Sequence, residues 1–202
     1  INMGQDYKNI AAASAGPDLI IDTITVTPEN KALGDQLTFT AIIKNIGNER
    51  ALPTTIDYYI DGDMILSDLT GSIEPSMRFR MSVAWKAEAG DHTIKAVVNP
   101  DRRITESNET NNDLTLAFSV LAPDLVISEI SWFPASSSVQ EKISFSVTIK
   151  NIGTYPASAS ELDFLIDGAS QGYLKVPVVE AGATVSNTSY SIAQPGSHEI
   201  KS

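Results

Sequence analysis

Short runs of alternating apolar and polar residues fill the chain. Leu37, Phe39, Ala41 and Ile43 alternate with Gln36, Thr38 and Thr40. A period of two over about eight residues marks a strand with one face buried. The same period predicts strands at Ile56, Tyr58 and Ile60, at Met77 to Trp85, at Ile94, Ala96 and Val98, and at Leu114, Leu116, Phe118 and Val120. In the first strand the phase slips: Leu19 and Ile21 share one parity, Ile24 and Val26 the other. Such a slip predicts a bulge, or a strand that changes sheets. No segment sustains a helical period.

The pattern is written twice. Pro17-Asp18-Leu19 returns as Pro123-Asp124-Leu125, Lys44-Asn45-Ile46-Gly47 as Lys150-Asn151-Ile152-Gly153, and Ile60-Asp61-Gly62 as Ile166-Asp167-Gly168. Each pair is 106 positions apart, and Gly90-Asp91-His92 returns at the same spacing as Gly196-Ser197-His198. Even the phase slip recurs, at Leu125 and Ile127 against Ile130 and Trp132. The two Asp-Gly pairs are strong two-residue hairpin signals. About seven short strands per copy, with turns between them, predict antiparallel β-sandwiches. The copies are 17–122 and 123–202, preceded by an N-terminal extension, 1–16, and Ala122-Pro123 is the only junction. In copy two Val185, Asn187 and Ser189 share one phase while Tyr190 and Ile192 fall out of it, which predicts a compensated insertion and deletion.

Composition narrows the function. With 14 basic and 25 acidic residues the net charge is −11. No basic stripe exists to release counterions, which argues against nucleic acid or anionic lipid as partners. The absence of cysteine excludes disulfides and thiolate chemistry and points toward a bacterial or archaeal surface. No apolar run approaches the roughly 18 residues of a membrane span. Ala11 to Ala15 looks like a small-residue cleavage site, but residues 1–10 hold no apolar core for a signal peptide.

These motifs, together with the string Asn99-Pro100-Asp101-Arg102-Arg103-Ile104-Thr105-Glu106-Ser107-Asn108-Glu109-Thr110-Asn111-Asn112, resemble the CARDB family, a cell-adhesion-related domain of bacteria and archaea. The resemblance spans nearly all of residues 17–202. It implies an all-β fold of two tandem immunoglobulin-like sandwiches, within a secreted or cell-surface protein. Copy two lacks the signature string.

Candidate chemistry is sparse. Asp101, Glu106, Asn108 and Glu109 carry the oxygen ligands that calcium takes. Arg102 and Arg103 in the same segment oppose a cation, and such side chains also bond turn backbone. The expectation is therefore no bound metal and no cofactor. His92 and His198, the only histidines, sit at equivalent positions in different copies and are not expected to meet, and the sequence assigns them no partners for a zinc site or a catalytic triad. No phosphate loop is present, and no enzyme is expected. Tyr59 with Trp132 or Phe133 is the candidate sugar platform; Tyr58 and Trp85 have the inward parity of core residues. Asn108 and Asn187 match the glycosylation acceptor pattern.

Copy one closes with Leu114, Leu116, Phe118 and Val120, and copy two has no counterpart to this strand. Four such side chains are worth roughly 6–12 kcal/mol, against about 5–15 kcal/mol for a whole domain. The second sandwich is expected to be open, completed by a longer parent chain or by another subunit. Ile1, Met3 and Tyr7 could form the donor strand of such a subunit. The sequence thus predicts a non-enzymatic extracellular structural or adhesion module of a prokaryotic surface protein, acting as a semi-rigid spacer. The alternatives are a filament subunit polymerising by strand donation and a polysaccharide-binding accessory module. The expected partners are protein, with carbohydrate as the second class.

Overall fold

A computed structural model describes residues 15–201. Two units separate, 1–120 and 121–202. The first contains β1 (Leu19–Thr27), β2 (Gln36–Asn45), β3 (Thr55–Ile60), β4 (Asp63–Leu69), β5 (Arg78–Lys86), β6 (Gly90–Val98) and β7 (Asp113–Val120). They form sheets ordered β1-β2-β5 and β4-β3-β6-β7, with every neighbour antiparallel. In β2, β5, β6 and β7 the alternation turns one parity inward. Leu37, Phe39 and Ile43 of β2, Ile56 and Tyr58 of β3, and Ile94 and Val98 of β6 are fully buried. Phe118 packs its ring 5.1 Å from Phe39 and edge-on to Trp85, within the range of favourable aromatic pairs.

The second unit repeats the plan with β8 (Leu125–Phe133), β9 (Lys142–Asn151), β10 (Ser160–Ile166), β11 (Ala169–Val176), β12 (Thr184–Ile192) and β13 (Ile200–Lys201). Its sheets are β12-β9-β8 and β11-β10-β13. The phase slips are bulges: pairing shifts between Ile21 and Thr23 and between Ile127 and Glu129. The extra residue lets Ile21 and Ile24 both face the core of the first unit. Both Asp-Gly pairs form tight hairpins. Asp61 and Gly62 have φ of 50° and 96°, and Asp167 and Gly168 have 51° and 80°, the left-handed values that suit the strand twist.

One expectation is corrected. β12 pairs with β9 without any shift, in the register that β5 keeps with β2. No insertion or deletion exists. The inward positions of β12 are Val185, Asn187, Ser189 and Ser191, where β5 has Phe79, Met81, Val83 and Trp85. Tyr190 and Ile192 point outward. The hydrophobic pattern moved to the other face while the backbone stayed in place.

The second sandwich is less covered. β3 pairs with β6 along five residues, whereas β10 meets β13 only at Leu165 and Ile166. Leu125 and Ile127 are 38% and 37% exposed, while their counterparts Leu19 and Ile21, packed near β6 and β7, are 0% and 6% exposed.

Candidate functional site

The Lys-Asn-Ile-Gly motif is a backbone brace. Asn45 is fully buried. Its Oδ1 accepts from the N–H groups of Asp18 and Gly47, and its Nδ2 donates to the carbonyls of Glu49 and Ile73. One side chain thereby fixes the end of β2, the following turn and the start of β1. Asn151 makes the same four bonds in the second unit, to Asp124, Gly153, Tyr155 and Val179. The motif's glycine is required by crowding. A Cβ on Gly47 would lie 2.3 Å from the Gly16 carbonyl oxygen, and one on Gly153 would lie 2.4 Å from that of Ala122.

The signature segment between β6 and β7 closes on a second buried centre. Glu106 accepts from the Leu19 N–H through Oε2 and from the amides of Asn99 and Asn112 through Oε1. Asn99, held at a φ of 53°, also accepts from the Thr54 hydroxyl and donates to the Ile104 carbonyl. Asp18 accepts from Ser107 and Asn111. Burial pushes the Glu106 carboxyl above its ordinary range, against the pull of these donors. The Asn, Glu and Asp residues of the segment serve as a clasp that ties β1 to the β6–β7 connection.

Each unit carries a histidine–aspartate latch. His92 Nδ1 lies 2.7 Å from Asp61 and its Nε2 lies 3.0 Å from the Glu88 carbonyl. His198 repeats this with Asp167 and the Gln194 carbonyl. Carboxylate and carbonyl are both acceptors, so the ring serves both only when both nitrogens carry protons. Burial of the His92 ring opposes protonation, but the Asp61 and Glu88 bonds and charges outweigh it and raise its pKa. The bonds to Asp167 and Gln194 raise that of His198. Asp61 and Asp167 are lowered, first by their histidine and then by a backbone N–H.

The four calcium candidates do not converge. Glu106 is enclosed in the clasp. Asp101 pairs with Arg103, and Glu109 with Arg102. Asn108 accepts from Thr110. Among the described residues no group of three or more His, Asp or Glu is placed to hold a metal ion. Of the glycosylation candidates, Asn108 is exposed, whereas Asn187 turns inward and donates to the Lys175 carbonyl. Tyr59 lies in the first unit with its hydroxyl on Asp57, and Trp132 and Phe133 lie in the second, on opposite faces of β8. Ile1, Met3 and Tyr7 lie outside the described residues. Asn99, Asn112 and the latch aspartates were not singled out from the sequence. A signal for the latch was present: Asp and His recur 31 positions apart in both copies.

The CARDB family matches residues 16–116 and 122–202. The chain belongs to that family and carries two of its domains in tandem. Among solved structures it is similar to the CARDB domain of a Pyrococcus furiosus protein, in complex with di-metal ions, at 26% identity over 52% of this chain and 93% of that one, with a TM-score of 0.47. It is also similar to a domain of a protein described as a cell surface protein of Methanosarcina acetivorans, at 27% identity over 52% and 92%, with a TM-score of 0.45. No curated protein matches. CARDB domains are non-catalytic, adhesion-like modules associated with prokaryotic cell surfaces.

Proposed function

We propose that the chain is a structural spacer and adhesion module of an extracellular prokaryotic surface protein. One observation carries this reading: the buried polar side chains of the repeated motifs and the signature segment, and both histidines, are spent on bracing backbone. Asn45, Asn151, Glu106, Asn99 and both histidines are bonded to main-chain groups or to each other's partners. The connection supports it as well. Ala122 follows β7 by two residues and already bonds Thr154 through its N–H and its carbonyl, which leaves little loose chain to flex. Small-angle X-ray scattering tests the spacer role. The chain should show a narrower distribution of maximum dimensions than a variant with a Gly-Ser insertion after Leu121. Equal distributions would sink it.

The β10 edge favours a second reading, in which a strand from another copy or from a longer parent chain pairs with it. Backbone groups on a bare edge recruit a strand. Electron microscopy of the purified chain distinguishes the donors: regular fibres support donation between copies, and uniform single particles count against it.

A further inference from the structure

The outer face of the β8-β9-β12 sheet carries a feature that the fold does not need. Phe133 of β8 and Tyr190 of β12 both pair with Ser144 of β9. The three therefore form one row on the side opposite the core. Neighbouring strands lie about 4.8 Å apart, so the two aromatic residues stand about 10 Å apart. Aromatic rings that pack on each other close to about 4.5–7 Å; these are kept from doing so by the strand between them. They are 76% and 57% exposed. With Pro134, Glu141, Lys142 and Ser144 they line a shallow, open cleft of about 340 Å³, a shape that leaves room for a chain lying across the sheet. The same row in the first unit is Thr27, Thr38 and Ala84. The sandwich folds there without aromatic residues, so packing does not explain them here.

We propose that this cleft binds a neutral polysaccharide. A sugar ring is flat and has an apolar face of C–H groups with a rim of hydroxyls. The aromatic walls match the faces. The rim meets Lys142, whose ammonium lies 3.8 Å from the centre of the Tyr190 ring, and Glu141, which uses Oε2 for the Ser138 N–H. Sugar hydroxyls both donate and accept, so they satisfy an ammonium and a carboxylate together. An apolar side chain from a protein partner would bury both charges without bonds, which is costly. A polyanion meets a cleft whose two charges cancel, on a chain of net charge −11. The site is a property of the second unit and does not depend on the spacer role.

Affinity electrophoresis of the full chain tests this, in native gels each cast with galactomannan, arabinoxylan, mixed-linkage β-glucan, hydroxyethylcellulose or the polyanion alginate. Retardation is expected in at least one neutral gel and absent in alginate. Tyr190→Ala and Phe133→Ala should each weaken it about tenfold, the equivalent of one aromatic contact. Tyr173→Ala, an exposed ring on β11, should leave it unchanged. Circular dichroism confirms that each variant folds. Mobility unchanged in every neutral gel, retardation that survives both ring removals, or retardation by alginate alone would each overturn the proposal. So would self-association of the chain that Tyr190→Ala abolishes while no glycan affects mobility, because the occupant would then be a second copy.

Discussion

Glu106 receives the backbone N–H of Leu19, a residue 87 positions earlier, and so joins the start of β1 to the connection between β6 and β7. Its other oxygen takes two buried amides. Glu106→Ala leaves three donors without an acceptor. An unsatisfied buried group costs about 1–3 kcal/mol, so the first unit should lose about 3 kcal/mol or more. Calorimetry should show the first unit's transition falling and the second unit's holding. An unchanged trace would show that the clasp contributes nothing.

Asn45→Ala and Asn151→Ala remove equivalent braces. Each deletes four hydrogen bonds, and each should destabilise its own unit by about 3 kcal/mol. Gly153→Ala forces a methyl group against the backbone of Ala122 and Asp124 and should cost about 1–3 kcal/mol or more. Chemical denaturation of the three variants provides the comparison. Asn45→Ala behaving like wild type would remove the role assigned to the motif.

The latches give stability a pH dependence of defined sign. His92 and His198 have raised pKa values in the folded chain, so folding favours their protonated forms. Their contribution is complete below the ordinary histidine value of 6.5 and is lost as pH rises through the raised values. Asp61 and Asp167 are depressed. Their contribution is present above the ordinary carboxylate range and is lost as pH falls through the depressed values. The latches are therefore strongest in the window between. NMR titration should place both imidazoles above 6.5, and His92→Gln should flatten the fall in the first unit's Tm between mildly acidic and alkaline pH. An identical slope in the variant would contradict the latch.

Tyr58 is fully buried, and burial pushes its phenol up to about 12. The Ala41 backbone pulls weakly the other way, yet the hydroxyl has no hydrogen-bond partner among the described residues. Tyr58→Phe should leave Tm equal or raised, because a buried hydroxyl without a partner is a penalty. A clear drop in Tm would reveal a partner for that oxygen.

Much of this fold was legible because the strands lie close to the simplest case, one wet face and one buried face. Leu37 to Ile43 alternate, Leu19 to Val26 slip by one at the bulge, and Asp61-Gly62 sits at its turn. β4 was legible only through that turn, since both of its faces are largely exposed. β12 misled for a physical reason: parity reveals a core only where the core is apolar, and Asn187, Ser189 and Ser191 face inward while Tyr190 faces out. The clasp was hidden because Glu106 and Leu19 meet only through tertiary packing. The aromatic row was hidden because it spans three strands whose pairing no linear pattern displays.

The inward polar residues of β12 have a mechanical corollary. β5 lines the first unit with Phe79, Met81, Val83 and Trp85, whereas β12 offers one valine and three hydrogen-bonding side chains. Pulled from its ends, the chain should give way in its second half first. That half would pay out length like a fuse, while its neighbour stays shut and keeps the load.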